Sequence, residues 1–531
     1  MKLARLISDL ANPAAYPDSI NVEAVEVRQT HISVVFLAGF YVYKIKKPLD
    51  LGFLDYSTLE RRHHFCEREV KLNRRLAPSV YLGVVPVTQD AAGLRMEGQG
   101  DVIEWAVKMV RLPESATFLS RLRRGELGPE ALEMLAGRLA AFHESADDGP
   151  SVSAFGRFEV VAGNAWENFD QSTAQVGTTL GRTVFDRLHE LTESTLVGLR
   201  PMIEARAARG VPRDGHGDLR LDHIYLFPDC KPPDDLVIID GIEFNDRFRC
   251  ADPVADVAFP VMDLARYGRR DLGRAFANAY FRASDDAEGR SLLPFYIAYR
   301  AAVRGKVDGM EATEPEVPEA ERAEALARAR AHWLLALSEL EEPARRPCLV
   351  MVAGLPGTGK STLARCLAER AGFVVIRSDL VRKEIAGAGF LSGFEAGIYA
   401  PEWTERTYAE CLRRAEGQWF EGQRVLIDAT FRTEVSRRLF LDAAETWCIP
   451  ARLMICRAGE EIVRGRLELR RNDASDADWA IYRQLAARWE EPGEFTQPFT
   501  REIPTGEGID KALNSAIDVL QEIQRESPVS T

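Results

Sequence analysis

Residues 354–361 read Gly-Leu-Pro-Gly-Thr-Gly-Lys-Ser, with glycines, a lysine and a hydroxyl at the spacing G-x-x-x-x-G-K-[ST]. Such a segment binds phosphate. Gly354, Gly357 and Gly359 allow the backbone of Leu355, Pro356 and Thr358 to curl, so that N–H groups point inward at the anion. Lys360 reaches the β- and γ-phosphates, Ser361 supplies a hydroxyl to Mg²⁺, and Thr362 follows in the first helical turn and joins the nucleotide-binding set. The context is the one required: an apolar strand, CLVMVAG, comes before and an amphipathic helix, STLARCLAERA, follows, whose N-terminus adds positive potential.

Two carboxylates belong to the same chemistry. Asp428 ends the apolar run RVLIDAT, and at a strand tip beside the phosphate loop it would complete a Mg²⁺ site. Asp379 closes FVVIRSD, where it suits a base that takes a proton from an attacking hydroxyl. Either could instead cap a helix or turn. Arg464, Arg466, Arg470 and Arg471 lie in EEIVRGRLELRRN. Arg466 and Arg470 share a helix face and could cover the phosphates; a solvated basic face is the other reading.

A second constellation lies upstream. His216-Gly217-Asp218 is followed by Asp222-His223, and Asp240 ends the strand run DDLVIID. Asp218 would orient an acceptor hydroxyl and take its proton, and Asp240 would hold Mg²⁺ against nucleotide phosphates. Lys44 sits in the alternating strand FYVYKIKKP, with Lys46 on the same face as a competing choice. Glu69, on the helix FCEREVKLNRRL, is placed to pair with that lysine. EWAVKMVRLP would link two lobes. Glu243 is grouped with Asp240 as a metal-assisting residue, and Asp252 and Asp256 in ADPVADVAF are read as supports that accept backbone hydrogen bonds. His63 and His64 are adjacent on a helix, cannot face one partner, and read as surface. His143 is expected to end a helix against its last carbonyls. Trp403, Tyr408, Trp419 and Phe420 read as packing.

The elements that must position these residues fall into two groups. VEAVEVRQTHISVVFLAGFYVYKIKKP alternates as antiparallel strands do, the helix pattern TLERRHHFCEREVKLNRRLAP and the strand signals YLGVVPVT and VIEWAVKMVRL follow, and helix patterns dominate from about 115 to 207. An acidic, Pro-containing stretch and a helix pattern fill 310–347, stopped by Pro343 and Pro347. Beyond it CLVMVAG, FVVIRSD, RVLIDAT and ARLMICR alternate with amphipathic helices, which argues for a mostly parallel sheet. The expected domains are 1–340, an α+β two-lobed unit with a helical linker, and 347–531, an α/β unit.

With 531 residues, 46% of them hydrophobic and 28% charged, the chain is neither disordered throughout nor of low complexity. A net charge of −13 and a pI near 5.4 disfavour nonspecific nucleic-acid binding. No window is apolar enough to span a membrane, and Arg5 and Asp9 interrupt the first residues where a signal peptide would be apolar. The eight cysteines show no Cys-x-x-Cys, read as reduced thiols, and fit a cytoplasmic location.

The C-terminal part, about 347–531, resembles small P-loop kinases of the polynucleotide kinase, zeta toxin and gluconate kinase type, through the Walker A pattern together with SDLVRKEI and LIDATF. That resemblance implies that Asp379 binds or deprotonates the acceptor and that Arg382 helps to bind it. HGDL, Asp240 and ADPVADVAF resemble the aminoglycoside phosphotransferase family over about 25–310. YKIKKPLDLGFLDYSTLERR, LNRRLAP and YRAAVRGKV resemble, more narrowly, bacterial fusions of that domain to a P-loop kinase, known as bifunctional aminoglycoside phosphotransferase/ATP-binding proteins. The resemblances imply ATP and Mg²⁺ as cofactors and a hydroxyl-bearing small molecule as acceptor. There are two departures. The Asn expected five residues after the catalytic Asp is His223, counted here as a metal ligand, although imidazole favours softer metals than Mg²⁺. No glycine-rich loop precedes Lys44; Ser33 and the turn at 29–33 stand in its place. The alternatives are an N-terminal pseudokinase regulating a C-terminal ATPase or kinase, a nucleotide-driven switch, and a C-terminal nucleic-acid-end kinase.

Overall fold

The computed structural model describes residues 3–20, 22–52, 54–91, 93–315, 317–386, 401–469 and 478–525. The chain divides into two compact units. One comprises Met1–Gly163, Leu199–Asp263 and Asp271–Leu293; the other comprises Asn164–Gly198, Leu264–Arg270 and Pro294–Thr531.

The first unit is α+β. Its front is a six-stranded antiparallel sheet, in the order Val25–Gln29, Ser33–Ala38, Tyr41–Lys46, Asp101–Val110, Tyr81–Asp90 and Gly93–Met96. Side chains alternate across the Tyr41–Lys46 strand. Tyr43 and Ile45 enter a core with Val34 and Phe36 on one face. Val42 belongs to the cluster on the opposite face, where Cys66 and Val70 of the helix Leu59–Asn73 pack against Val107 and Met109. Lys44 and Lys46 therefore face that helix. Thr58 caps it, its hydroxyl accepting from the Arg61 N–H. The segment 213–251 contains the antiparallel pair Ile224–Leu226 with Leu236–Ile238, and it is held by the helices Pro129–Ser145 and Val254–Arg266 through Arg138, His143 and Asp256.

The second unit carries the α/β P-loop fold. Its five strands run in the order Val374–Arg377, Val425–Asp428, Leu349–Ala353, Ala451–Arg457 and Thr500–Pro504, and every pairing is parallel. The first four are the apolar runs legible in the sequence. The fifth, TREIP, lies at the sheet edge with only Thr500 and Ile503 buried and a terminal proline, which hides it among loops. The helices Lys360–Ala371 and Ile509–Arg525 cover one face, where Leu363, Leu367, Ala516 and Leu520 pack against Val350, Leu426 and Met454. Trp419 and Tyr408 are buried, as packing residues should be. Helical segments 164–198 and 294–340 also group with this unit. Six cysteines are buried, Cys366 is half-buried and Cys230 is exposed. Among the described residues no helix is long and apolar enough to cross a membrane.

Candidate functional sites

The parallel sheet reverses its direction of growth at Leu349–Ala353. The next strand in sequence lies two places to one side and the fourth lies on the other, so a crevice opens at the carboxyl end of Leu349–Ala353. The phosphate loop starts there. Gly354, Gly357 and Gly359 have φ of 144°, 80° and 91°, conformations that a side chain would strain. A Cβ on Gly357 would also stand 2.9 Å from Val463. The loop is braced from inside and outside. Thr358 Oγ1 donates to Leu355 O at 2.8 Å, Thr505 Oγ1 donates to Thr358 O, and Arg466 donates to Thr505 O at 2.7 Å and to Gly357 O at 3.5 Å. Lys360, buried, opens the helix; Ser361 is half-buried beside it and Thr362 is exposed. Leu355 is half-buried and Pro356 buried.

Asp428 is paired in register with Val352 on one side and Arg377 on the other, which sets its carboxylate next to the loop. It is buried. Its Oδ2 lies 3.4 Å from Arg377 Nε, and its Oδ1 has no hydrogen-bond partner. A buried carboxylate oxygen left so is costly unless a donor or a further cation joins it. This oxygen, the Ser361 hydroxyl and the phosphates of a nucleotide make an all-oxygen donor set, which fits Mg²⁺. Among the described residues no cluster of three or more His, Cys, Asp or Glu side chains is arranged to hold a metal ion, so the phosphates must complete any such site. Asp379 stands, half-buried, in the first turn of the helix Ser378–Ala386, directly after the strand Val374–Arg377. Arg382, one turn on and buried, lies 3.4 Å from Thr404 Oγ1. Arg464 pairs with Glu468 at 3.1 Å on an exposed surface. Arg470 and Arg471 lie outside the described residues. Arg377, Thr505 and the brace role of Arg466 were missed by sequence reasoning, since each depends on neighbours far along the chain.

The upstream site gathers its residues as closely. Lys44 Nζ is 2.6 Å from Asp240 Oδ1 and 3.0 Å from Glu69 Oε1. Lys46 Nζ is 2.8 Å from Glu69 Oε2 and also pairs with Glu243, which accepts from the Tyr56 hydroxyl at 2.6 Å. Both lysines thus reach Glu69, and Lys44 is the one that reaches Asp240. Asp240 has a φ of 65°, fixed by hydrogen bonds from its own N–H to Tyr81 OH at 3.0 Å and from Gly241 N–H to Asn73 Oδ1 at 2.7 Å. Burial disfavours its charge, but Lys44 and His223 outweigh burial and hold its carboxyl well below the usual range.

His223 stands between the aspartates. Its Nδ1 is 2.9 Å from Asp218 O and 3.7 Å from Asp218 Oδ2, and its Nε2 is 3.7 Å from Asp240 Oδ2. The segment carrying Asp218 is held by Asp256, which accepts from the N–H groups of His216 and Gly217 at 2.7 and 2.8 Å. Asp252 accepts from Val254 N–H and from Nε and Nη2 along one edge of the Arg206 guanidinium. His143 is a correction: it is buried, with Nδ1 2.8 Å from Tyr280 OH and Nε2 3.3 Å from Asp256, and does not cap its helix. His63 is also not simply solvated, for it stacks on Trp105 with ring centroids 3.9 Å apart. Where a glycine-rich loop would lie, Thr30–Ser33 form a tight hairpin turn; Thr30 Oγ1 accepts from Ser33 N–H at 3.0 Å and lies 2.9 Å from the buried Ser33 hydroxyl.

A phosphate loop at the switch point of a parallel sheet defines the C-terminal region as a P-loop nucleotide-binding domain, and a family model described as "AAA domain" matches residues 349–492. Over 472 residues the chain is 34% identical to the uncharacterized protein Rv2004c of Mycobacterium tuberculosis (strain ATCC 25618 / H37Rv), covering 87% of this chain and 90% of that protein. It is equally similar to the uncharacterized protein Mb2027c of Mycobacterium bovis (strain ATCC BAA-935 / AF2122/97), and the chain belongs to the family of these proteins. Among solved structures it is similar to a gluconokinase from Sinorhizobium meliloti 1021, with 14% identity, TM-score 0.27, and coverage of 34% of this chain and 95% of that one. It is also similar to the GDP complex of aminoglycoside 2'-phosphotransferase-IIIa, with 16% identity, TM-score 0.39, and coverage of 63% and 99%.

Proposed function

We propose that the chain is an ATP-dependent phosphotransferase with two nucleotide sites, each moving the γ-phosphoryl group of Mg-ATP to a hydroxyl of a small molecule. The catalytic units would be residues 1–340 and 347–531, working in the cytoplasm where ATP is supplied. The observation that carries the reading is the buried, unpartnered Oδ1 of Asp428 beside the phosphate loop. At the C-terminal site the loop N–H groups and Lys360 bind the β- and γ-phosphates, and Ser361 and Asp428 hold Mg²⁺, which neutralises phosphate charge when bound. Asp379 accepts the proton of the acceptor hydroxyl as its oxygen bonds to phosphorus and the bond from phosphorus to the β–γ bridging oxygen breaks, leaving ADP. Arg382 orients the acceptor. Arg466 keeps the loop in shape. At the N-terminal site Asp218 has the role of Asp379, Lys44 paired to Glu69 binds phosphate, and Asp240 with His223 holds the metal.

One observation favours a second reading for the N-terminal site. His223 takes the place of an oxygen ligand and lies against both Asp218 and Asp240. An imidazole there suits nucleotide binding without turnover, in a domain that regulates its neighbour. A nucleic-acid end is the less favoured acceptor for the C-terminal site, given the net charge of −13.

The test is a transfer screen with γ-labelled Mg-ATP, a metabolite library, and the variants Lys360→Ala and Asp218→Ala. Label on a small molecule, lost only in Lys360→Ala, would assign the chemistry to the C-terminal site and favour a regulatory front. Loss only in Asp218→Ala would assign it to the N-terminal site. Label released solely as free phosphate would overturn the proposal in favour of a nucleotide-driven switch.

A further inference from the structure

We propose that Lys46, backed by Glu243 and Tyr56, is a positioning residue that keeps Glu69 in place for Lys44, so that the N-terminal site is assembled before any ligand arrives. The inference rests on reading that site as a nucleotide site.

The argument begins with the strand. Lys44 and Lys46 are two residues apart and face the helix Leu59–Asn73 together. Each takes a different oxygen of Glu69, at 3.0 and 2.8 Å. The Glu69 side chain is 1% exposed, so water gives it no help. Lys44 is already divided between Glu69 and Asp240, 2.6 Å away. A bound phosphate would draw it further from Glu69. With Lys44 alone, Glu69 would then be a buried carboxylate short of a counter-ion, and the helix that carries it would tend to move away.

Lys46 removes that conflict. It is itself 1% exposed, and cannot leave to follow a phosphate. Its ammonium is anchored on three sides: by Glu69, by Glu243, and by the face of the Tyr56 ring, 4.9 Å from its centre. Glu243 in turn is held by the Tyr56 hydroxyl at 2.6 Å. Asp240, Lys44, Glu69, Lys46 and Glu243 thus form a chain of alternating charge, in which the last three members are buried and stay together whatever the first two do. A single lysine–glutamate pair can open and close as a switch; this doubled one has no open arrangement that leaves its charges matched.

The test uses the full chain in a Lys360→Ala background, which weakens the C-terminal site, and reads the part of the binding that Lys44→Met removes. Nucleotide affinity is measured with a fluorescent methylanthraniloyl derivative of ATP and Mg²⁺, and amide hydrogen exchange is followed across residues 59–73 without ligand. Lys46→Met is expected to weaken nucleotide binding at least tenfold and to speed exchange in the helix by a similar factor. In a double-mutant cycle, Lys44→Met with Lys46→Met should lose no more affinity than Lys44→Met alone, because Lys46 acts through Lys44. Tyr56→Phe, which removes one hydroxyl, should show the same changes in smaller degree and serves if Lys46→Met does not fold. Unchanged affinity and exchange in a folded variant, or additive losses in the cycle, would overturn the proposal. Absence of binding in Lys360→Ala itself would instead sink the reading of the site.

Discussion

The guanidinium of Arg377 and the carboxylate of Asp428 meet across two adjacent parallel strands, with Nε 3.4 Å from Oδ2. The arginine thus takes one side of the carboxylate, and the other oxygen is left buried without a hydrogen-bond partner next to the phosphate loop. The pair leaves one carboxylate oxygen without a ligand, a position that a divalent cation would fill. Asp428→Asn is expected to weaken Mg²⁺-dependent nucleotide binding by about 10–100-fold, while affinity without metal changes little. Titration of a fluorescent nucleotide with and without Mg²⁺ measures both. Equal affinities in the variant and the wild type would remove Asp428 from the metal site.

Lys360 and Asp379 should separate binding from chemistry. Losing the Lys360 charge removes a phosphate contact worth about 1.5–3 kcal/mol, or roughly 10–100-fold in nucleotide affinity. Asp379→Asn should leave affinity nearly intact and lower transfer by about 10²–10⁴-fold. Once an acceptor is in hand, steady-state kinetics alongside direct binding will show the split. Unchanged transfer in Asp379→Asn would disprove its role as base.

Asp256 should matter to stability as well as to function. It accepts two backbone N–H groups in the segment that carries Asp218 and lies against His143, all of them buried. Asp256→Ala leaves those donors unmatched and should cost about 3 kcal/mol. Chemical denaturation followed in the N-terminal unit would register it, and a loss under about 0.5 kcal/mol would contradict this account.

The second unit should be acid-sensitive through the pair His332 and Asp308, whose Nδ1 and Oδ2 are 2.8 Å apart. Burial pushes the His332 imidazole down to about 4 despite the attraction of Asp308. The folded state therefore binds a proton less readily than the unfolded one. Its contribution is complete above the ordinary value of 6.5 and is lost as pH falls toward 4. Asp308 is opposed by burial but held below the usual carboxylate range by His332 and Arg304, and its own contribution is lost at still lower pH. Thermal melts between pH 7 and 4.5 should show falling stability that flattens in His332→Gln. A variant as steep as the wild type would exclude His332 as the cause.

The phosphate loop was fully legible in the sequence because its residues are contiguous and its φ requirements are written as glycines. The alternation of FYVYKIKKP placed Lys44 and Lys46 on one face, but could not say that Glu69 would serve both, since that depends on a helix-to-strand distance. The Arg377–Asp428 pair was hidden for a related reason: 51 residues separate its members, and only the parallel register joins them. His143 does lie in the last turn of its helix, as its sequence suggests, but its partners Tyr280 and Asp256 come from distant helices. The helical segments 164–198 and 294–340, which group with the C-terminal strands, carry no local mark of that association.

The order of the parallel sheet has an evolutionary consequence. The phosphate loop leaves the central strand, and the helix bearing Asp379 leaves a strand two places away at the sheet edge, with Val425–Asp428 between them. On the proposed reading, ATP recognition and acceptor recognition are inherited on separate stretches of sequence. Descendants of such a scaffold can change the molecule they modify by drift at one border of the sheet and keep their fuel unaltered.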